Sequence, residues 1–508
     1  MHAAYRGTEE RPLKLETLLS RLDYRILQGT VGQDISEVVY DSRKVCEGCI
    51  FICIVGAHFD AHDRIGDAAA AGARAIVVQD DHDVAVPGGD VTVISVPSTR
   101  RALSFISAAW FDYPAEKIPV IGITGTKGKT TTTYMVKSIL DNAGHKTGLI
   151  GTIEVIVGDT HIHALNTTPE SYIVQKYLHD MIEAGMDCAV MEVSSQALMM
   201  DRTAGLEFEI GVFTNISPDH IGPNEHTDFA QYLYCKSLLF QQCRTGIFNL
   251  DDPHTKDVML AADCRIETYG IENPEATIWA ENIRHIHRPG YLGVSFDVRG
   301  KQNFPVELDI PGRFSVYNAL TAISICRHFN IPEDVILAAL KVAKVKGRIE
   351  MVPVSDHFTL MIDYAHNAMA LESLLSTLRD YDPGRLVCLF GCGGDRSRDR
   401  RFEMGETSGR MADLTIITSD NPRTEKPEDI IADIRTGIER TDGKFIEIID
   451  RREAIAYAIH NGLPGDIIVL AGKGHEDYQE INGVRYPMDE RNIIKDILEA
   501  DALRGSNC

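Results

Sequence analysis

A chain of 508 residues is long enough for about three domains, and its 44% hydrophobic and 25% charged residues are typical of a globular protein. Its 51 basic and 74 acidic residues give a net charge of −23, which argues against a nucleic-acid partner because such proteins carry a basic face. We find no apolar run of about 18 residues and no apolar core near the N-terminus. We therefore expect no membrane insertion, no signal peptide and a cytoplasmic location.

Residues 1–112 predict a small α/β domain. A short amphipathic helix is expected at residues 15–22 and an alanine-rich helix at 65–71. Residues 111–114, Phe-Asp-Tyr-Pro, break the pattern and mark a linker. The predicted strands of this domain lie at residues 49–55, 75–78 and 91–94.

The strongest pattern in the chain lies at residues 119–135. An apolar run predicts a buried strand, a glycine-rich turn follows, and Lys129 with Thr130 opens a helix. Glycines let backbone N–H groups approach phosphate oxygens, the helix N-terminus and the lysine add positive charge, and a threonine hydroxyl can bind Mg²⁺. Five residues, not the usual four, separate the first glycine, Gly122, from the Gly-Lys pair at 128–129. A tight turn before an ordinary helix is therefore the alternative. The predicted ATP-binding residues here are Gly125, Thr126, Lys127, Gly128, Lys129, Thr130 and Thr131.

The predicted central domain extends from residue 113 to 345. Glu192 stands near the end of the strand predicted at 188–193, where P-loop enzymes place a Mg²⁺-binding acid. A solvent-exposed glutamate on an edge strand is the alternative. Helices are also predicted at residues 171–184, 229–240, 314–329 and 335–345, and strands at 148–150, 211–216 and, antiparallel, within 278–310.

Residues 346–508 predict a third α/β domain in which strands and helices alternate. Each predicted strand is followed by a polar or glycine-rich loop, and open α/β sheets bind ligands at these carboxyl ends. The loop at 391–396 is only weakly similar to a dinucleotide fingerprint, because a charged run follows it. The predicted strands lie at residues 360–363, 386–390, 414–418 and 467–470.

The motifs, in their joint order, resemble the Mur ligases of bacterial cell-wall synthesis, and most of all the members that add the third peptide residue. The resemblance covers nearly the whole chain. It implies a UDP-substrate-binding N-terminal domain, a central parallel-sheet P-loop ATPase domain and a C-terminal Rossmann-like domain that binds the amino acid. The motifs that carry it are residues 41–43, 125–131, 166–170, 192–195, 219–220, 236, 312–318, 347–348, 363–366, 420–423 and 472–478.

The resemblance implies an ATP-dependent amide ligase of peptidoglycan precursor synthesis, a process needed for cell shape and division. The D-glutamate carboxylate of UDP-MurNAc-L-Ala-D-Glu would take the γ-phosphate of ATP, and meso-diaminopimelate would displace phosphate from the acyl phosphate. Residue chemistry agrees, because phosphoryl transfer between anions needs Mg²⁺ and lysine to offset charge.

Roles in catalysis and metal binding follow from the same resemblance. Lys129 holds the triphosphate, Thr130 and Glu192 bind one Mg²⁺, and His220 binds a second. Lys236 matches a carbamylated lysine of the family, although the residues alone favour a solvated helix lysine. The implied ATP contacts outside the glycine loop are Asn318 and Arg348. The implied contacts of the UDP substrate are Tyr40, Ser42, Asn166, Thr167, Thr168, Ser194 and Arg202.

The amino-acid site is predicted in the third domain. Arg423 offers a planar fork that pairs with a carboxylate, and Glu476 can accept from an adjacent ammonium, which suits meso-diaminopimelate better than L-lysine. A structural salt bridge of Arg423 is the alternative. The predicted contacts are Arg401, Asp420, Asn421, Pro422, Arg423, Gly472 and Glu476.

Some residues depart from the usual pattern of the family. Gln196 replaces a common histidine, Met200 a polar contact, Ser315 an asparagine and Lys127 the usual asparagine of the loop. The competing functions are a ligase for another amino acid, folylpolyglutamate synthesis, and a non-catalytic nucleotide-binding protein. The Asp-Asn-Pro-Arg loop and the large N-terminal domain argue against the first two. The third is disfavoured because the predicted catalytic residues are all present.

Overall fold

The computed structural model describes residues 12–505, apart from 57–58, 83–84, 86, 220, 223–224 and 289. The chain divides into two compact units. The first contains the described residues up to Lys129 together with Gly144–Thr268, and the second contains Thr130–Ala143 together with the described residues from Tyr269 onward. The three domain limits given by the sequence stay predictions, since each unit joins segments from more than one predicted domain.

The N-terminal part of the first unit is a five-stranded sheet with strand order β2-β7-β6-β5-β4. β4 to β7 are parallel and β2 is an antiparallel edge strand. Leu15, Ile50, Val77, Ile94 and Leu103 contribute to the core beneath it. The elements are β1 (Leu13–Lys14), α1 (Leu15–Leu18), β2 (Arg25–Gln28), β3 (Asp34–Ile35), β4 (Val38–Val39), β5 (Ile50–Ile52), α2 (Ile65–Ala70), β6 (Ala75–Gln79), β7 (Thr92–Val96) and α3 (Thr99–Trp110).

The remaining strands of the first unit form a second sheet. Helix α4 (Lys129–Asn142) follows strand β8 of this sheet, and all but the first residue of α4 belong to the second unit. The elements are β8 (Val120–Thr124), β9 (Thr147–Ile150), β10 (Glu154–Val157), β11 (Thr160–His163), α5 (Ser171–Glu183), β12 (Cys188–Glu192), α6 (Ser195–Met199), β13 (Phe208–Phe213), α7 (Phe229–Ser237), β14 (Cys243–Asn249), α8 (Thr255–Met259) and β15 (Arg265–Gly270).

Strand order in this sheet is β11-β10-β9-β12-β8-β13-β14-β15. The pairs β9–β12, β12–β8, β8–β13 and β13–β14 are parallel. The central strands β8 and β12 are buried along their whole length because both faces are covered, as is usual for parallel sheets. Since the central strands are parallel, the carboxyl ends of β8, β12 and β13 lie at one edge of the sheet, where three predicted site segments begin.

The second unit begins with antiparallel strands and three helices. Strand β17 pairs with both β16 and β18, which confirms the antiparallel prediction for 278–310. Helix α4 contacts two other helices here: the Thr132 hydroxyl donates to Asn318 Oδ1 at 3.3 Å, and the Ser138 hydroxyl donates to the Ala339 carbonyl at 3.4 Å. The elements are β16 (Ile278–Arg288), β17 (Tyr291–Gly300), β18 (Phe304–Leu308), α9 (Arg313–Cys326) and α10 (Glu333–Val342).

The second unit ends in a six-stranded sheet with order β19-β20-β24-β21-β22-β23, parallel except for β19, and a separate hairpin β25–β26. The four strands predicted in this region are confirmed. The elements are β19 (Glu350–Val352), β20 (Thr359–Asp363), α11 (Ala368–Arg379), β21 (Arg385–Phe390), α12 (Asp399–Met411), β22 (Leu414–Ile417), α13 (Pro427–Ile438), β23 (Phe445–Glu447), α14 (Arg451–His460), β24 (Asp466–Ala471), β25 (Tyr478–Ile481), β26 (Val484–Pro487) and α15 (Glu490–Gly505). Within the described residues, we find no helix whose length and hydropathy would let it span a bilayer.

Candidate active site

The glycine loop between β8 and α4 is fastened to the segment that follows β13. Thr126 N donates to the Asn215 carbonyl and Lys127 N to Asn215 Oδ1, each at 2.9 Å. Thr214 Oγ1 donates to the Lys127 carbonyl at 2.7 Å. At Gly125, with φ +149°, a side chain would collide with Thr214 Oγ1, so the loop needs glycine there. These contacts fix the shape of the glycine loop, and they engage the N–H groups of Thr126 and Lys127 with Asn215.

Lys129 is the last residue of this segment of the first unit, and its ammonium folds back over the glycine loop. Its Nζ donates to the carbonyls of Gly125 at 2.7 Å and Thr126 at 3.1 Å. The charge therefore lies against the segment that would hold phosphate. In the second unit, Thr130 is buried, and its carbonyl accepts from the Thr133 hydroxyl at 2.8 Å.

Glu192 is the last residue of β12, and its side chain is buried. Its two carboxylate oxygens accept from Thr152 N at 2.8 Å and Thr152 Oγ1 at 3.0 Å. A Cβ at Gly151 would lie 2.7 Å from Oε1, so this glycine makes room for the carboxylate. Because β12 pairs with β8 and β9, the edge-strand alternative is wrong.

Lys236 lies on α7 and is only 1% exposed. Its Nζ lies 4.4 Å from the centroid of the Tyr232 ring. Burial, and secondarily the charge of Lys129, lowers the pKa of Lys236 well below its usual value. The alternative of a solvated helix lysine is therefore wrong. His220, the predicted second metal ligand, lies outside the described residues.

Four of the predicted UDP-substrate contacts meet near the end of β12. The Thr168 hydroxyl donates to the Glu192 carbonyl at 2.9 Å and accepts from Ser194 N at 3.0 Å. Arg202 Nη1 donates to the Thr168 carbonyl at 3.0 Å. Thr167 joins the group through a 3.0 Å hydrogen bond between its hydroxyl and that of Thr152. Predicted substrate residues and the buried Glu192 therefore share one hydrogen-bonded network.

Tyr40 approaches the same region from the N-terminal sheet. Its ring centroid is 6.0 Å from that of Tyr172, and burial raises the pKa of Tyr40, with Glu170 adding to the effect. Ser42 begins the turn after Asp41. Asn166 is exposed, and no hydrogen bond of its side chain joins it to the Thr168 network within the described part of the chain.

His226 is a buried residue of this region that the sequence reasoning did not single out. Its Nε2 lies 2.8 Å from the Ser195 hydroxyl, and its ring lies 5.1 Å from that of Tyr232. The available signal was the sequence of residues 221–226, Ile-Gly-Pro-Asn-Glu-His, which departs from the commoner Leu-Asp-Tyr-His and ends in this histidine. Of the departures from the family pattern, Gln196 is exposed and Met200 half-buried, while Ser315 is buried with its hydroxyl on the Pro311 carbonyl at 2.7 Å.

Two predicted ATP contacts lie in the second unit. Asn318 is nearly buried on α9 and accepts from Thr132, as described above. The Arg348 guanidinium carbon lies 4.9 Å from the centroid of the Tyr364 ring. The next residue, Ile349, has φ +43°, rare for a β-branched side chain, and its N–H donates to Asp363 Oδ2 at 2.9 Å. This strained turn holds Arg348 against an aromatic face.

The loops after β22 and β24 carry a buried network of opposite charges. Lys473 is fully buried, and its Nζ lies 3.3 Å from Asp420 Oδ1, 3.0 Å from Asn421 Oδ1 and 3.2 Å from Glu476 Oε2. Asn421 Nδ2 also donates to Glu476 Oε2 at 2.8 Å. Gly472 has φ +105° and begins the second loop. Four of the residues predicted to bind the amino acid therefore lie together.

Arg423 adopts φ +53°, and its backbone is linked to hairpin β25–β26. Its Nη1 donates to the Gly394 carbonyl at 2.6 Å and its Nε to Glu480 Oε2 at 3.3 Å. The side chain is 23% exposed. Pro422 precedes it and packs closely against Gly394.

Arg401, also a predicted amino-acid contact, is a buried cation that pairs with two carboxylates of the fold. Its side chain is 2% exposed and pairs with Glu425 at 2.6 Å and Asp433 at 3.0 Å. The hydrogen bond to Glu425, and after it the one to Asp433, raises the pKa of Arg401, and the same bond lowers the pKa of Glu425. The pKa of Asp433 is lowered mainly by its hydrogen bond from Arg398 and secondarily by that from Arg401. Arg396, earlier in the same run, is exposed.

The chain matches three family models in succession. They are the Mur ligase family catalytic domain at residues 34–111, the Mur ligase middle domain at 123–326 and the Mur ligase glutamate ligase domain at 347–474. The chain belongs to the Mur ligase family. The three-domain α/β architecture and the family predicted from the sequence are thereby confirmed.

Curated relatives at about 40% identity are named UDP-N-acetylmuramoyl-L-alanyl-D-glutamate--2,6-diaminopimelate ligase. A relative from Clostridium perfringens is 39% identical over 492 residues, covering 96% of this chain and 99% of its own. One from Bacillus licheniformis is 38% identical over 495 residues, covering 95% and 99%. A solved structure of a ligase with this name has a TM-score of 0.71 at 29% identity and covers 97% of this chain and 99% of that one.

Proposed function

We propose that this chain joins meso-diaminopimelate to the D-glutamate of UDP-N-acetylmuramoyl-L-alanyl-D-glutamate, with conversion of ATP to ADP and phosphate. The observation that carries the proposal is the glycine loop with the buried Glu192 at the end of the neighbouring strand. Family membership and the relatives' shared name support it. The cytoplasmic location and the role in cell-wall growth and division stay predictions.

The proposed reaction has two chemical steps. A glutamate carboxylate oxygen bonds to the γ-phosphorus of ATP, the bond from phosphorus to the β-phosphate oxygen breaks, and ADP leaves. The amine of diaminopimelate then attacks the acyl carbon, a tetrahedral intermediate forms, and phosphate leaves as the amine loses a proton. Lys129 and the loop N–H groups offset the negative charge that spreads over the transferred phosphoryl group.

Mg²⁺ would supply further charge neutralisation between the phosphates. Oxygen donors fit this ion, and the Glu192 carboxylate is oriented by Thr152 in a space kept open by Gly151. Thr130 and His220 stay predicted ligands.

We further propose that Lys236 is carbamylated. A neutral amine is the form that reacts with CO₂, and burial of Lys236 lowers its pKa and so favours the neutral amine. The nitrogen would bond to the carbon of CO₂ with release of one proton, giving an anionic carbamate. That group would place a second anionic oxygen donor in the first unit, which also holds the glycine loop.

The amino-acid side of the proposal rests on the loops after β21, β22 and β24. Arg423, whose side chain is 23% exposed, would bind the distal carboxylate, and Asp420 and Glu476 offer carboxylates for an ammonium. Arg401 was the cation predicted to bind the ligand after β21, but its guanidinium already pairs with Glu425 and Asp433. We therefore assign the ligand contact after β21 to the exposed Arg396.

The test is phosphate release from the purified chain mixed with ATP, Mg²⁺, UDP-muramoyl dipeptide and one amino acid at a time. We expect release with meso-diaminopimelate and little with L-lysine or D-alanyl-D-alanine. Release that requires a different amino acid would reassign the substrate. No release with any amino acid, while ATP still binds, would contradict the ligase function.

A further inference from the structure

A buried ion pair lies directly beneath the loops proposed to bind the amino acid. Arg451, the first residue of α14, has a side chain 1% exposed, and Glu490, the first residue of α15, is 0% exposed. Arg451 Nε donates to Glu490 Oε1 at 2.9 Å, and its Nη2 lies 2.8 Å from the same oxygen. Neither residue belongs to the set that the sequence motifs predicted.

The same guanidinium also reaches the backbone of two different loops. Its Nη2 donates to the carbonyl of Ala471 at 3.0 Å, and its Nη1 donates to the carbonyl of Ser419 at 3.3 Å. Ala471 is the last residue of β24, immediately before Gly472. Ser419 immediately precedes Asp420. One planar side chain therefore ties together the starting points of the two loops.

These tethers matter because β22 and β24 are not neighbours in the sheet, where β21 lies between them. Strand pairing therefore gives the two loops no direct connection. Above the tether, Lys473 links the same loops through Asp420 and Asn421. Arg451 supports this network through its hydrogen bonds to the backbone at the start of both loops. Glu490 fixes the orientation of the guanidinium through its carboxylate.

We propose that Arg451 is a positioning residue for recognition of the incoming amino acid, acting through the loops that begin at Asp420 and Gly472. This inference rests on the proposed function, because it assumes that these loops bind the diamino acid. Without the guanidinium the two loop starts separate, and Asp420, Asn421 and Glu476 no longer converge on one ligand. The glycine loop of the first unit has no part in this tether.

The experiment compares three variants by their KM values for meso-diaminopimelate, ATP and the UDP-muramoyl dipeptide. Removing one member of a buried pair can unfold a protein, whereas replacing both with apolar residues often preserves the fold. The main variant is therefore Arg451→Met with Glu490→Met. Arg451→Lys keeps the charge but, as a point charge, cannot serve both carbonyls and Glu490 in one plane. The matched control is Arg452→Met, since Arg452 is the next residue on α14 and pairs with the exposed Asp496 at 3.0 Å.

We expect the double variant to raise the KM for meso-diaminopimelate by about tenfold or more, since displacements near 1 Å in a binding group have effects of this size. Its KM values for ATP and UDP-muramoyl dipeptide should stay within about twofold, Arg451→Lys should be intermediate, and Arg452→Met should match the native protein.

An unchanged KM for the amino acid in the folded double variant, or an equal rise in all three KM values, would overturn the positioning role. If the double variant does not fold, the Arg451→Lys values decide by the same criterion. Absence of phosphate release from the native protein is a different result, since it contradicts the proposed function before any variant is compared.

Discussion

Lys129 is the residue in which backbone geometry and charge combine most directly. Its ammonium lies on the carbonyls of Gly125 and Thr126, so bound phosphate would find a cation already in place. Few positions in the chain allow so direct a test of the phosphate-loop assignment.

We predict that Lys129→Ala lowers kcat by at least about 10²–10³-fold, the size of effect seen when one donor to a developing anion is removed, with no loss of fold. The measurement is steady-state phosphate release together with circular dichroism. Lys137→Ala is the control, because Lys137 lies two turns further along α4 and pairs with Asp141 at 2.9 Å. Normal turnover by a folded Lys129→Ala protein would remove the loop from the mechanism.

Lys236 gives a prediction about stability that depends on pH. Its folded-state pKa is lowered by burial, so between that value and the usual lysine value near 10.4 the unfolded chain binds more protons than the folded chain. In CO₂-free buffer, this group therefore makes the native protein more stable as pH rises through that window. Within this window the free energy of unfolding rises by about 1.4 kcal/mol per pH unit because of this group, and Lys236→Met removes that rise.

The measurement is urea unfolding of the native protein and Lys236→Met at several pH values from 7 to 10. We expect the variant to have the larger free energy of unfolding at pH 7 and its advantage to shrink toward pH 10. A constant difference would contradict the buried neutral amine.

Bicarbonate should stabilise the native protein alone if the lysine is carbamylated, and acetate should restore some activity to Lys236→Ala.

At the scale of elements, helices α12 and α13 are joined by ion pairs that include Arg401, which the sequence predicted to bind the amino acid. Arg401 and Arg398 on or beside α12 both reach Asp433 on α13. Arg401 is buried, while the Arg398 side chain is 70% exposed. The two arginines therefore share a partner but differ in solvent screening.

We predict that Arg401→Met destabilises the protein by about 3 kcal/mol, because it leaves Asp433 and Glu425 without their buried cation. Arg398→Met should cost less than about 1 kcal/mol, as expected of an exposed pair. Equilibrium unfolding of both variants gives the comparison. Equal effects, or an Arg401→Met protein of native stability with altered amino-acid selectivity, would return Arg401 to the ligand site.

The features that could be predicted from the sequence are those given by residues close together in the chain. The strand–glycine loop–helix at β8 and α4, Glu192 at the end of β12 and the parallel strands of the last sheet follow from apolar runs and turn residues close by in the chain. Arg401 pairs with Glu425 and Asp433, which lie 24 and 32 residues further along the chain, so no local pattern shows these ion pairs. The burial of Lys236 follows from the packing around α7, which the residue pattern did not show and which made a solvated lysine the favoured alternative. The tether at Arg451 joins Ser419, Ala471 and Glu490, positions no local pattern connects.

For the whole molecule, the net charge of −23 bears on the choice of amino acid. At neutral pH, meso-diaminopimelate carries two carboxylates and two ammonium groups and is neutral, whereas L-lysine carries one net positive charge. The long-range field of an acidic protein therefore favours lysine. Any preference for diaminopimelate must come from local groups that recognise its second carboxylate, and Arg423 is the best placed of the predicted set.

We predict that the native protein uses meso-diaminopimelate over L-lysine by about 10³-fold or more in kcat/KM, since lysine would leave the site's arginine without its carboxylate. Arg423→Ala should reduce that ratio by at least about tenfold, mostly by loss of diaminopimelate turnover, because a guanidinium–carboxylate pair is strong and bidentate. Arg485→Ala is the control, since Arg485 lies on the attached hairpin with its guanidinium carbon 4.2 Å from the Tyr478 ring centroid. It should leave the ratio unchanged. Equal use of lysine by the native protein would refute the diaminopimelate assignment, and an unchanged ratio in Arg423→Ala would leave Arg423 with only its structural contacts to Gly394 and Glu480.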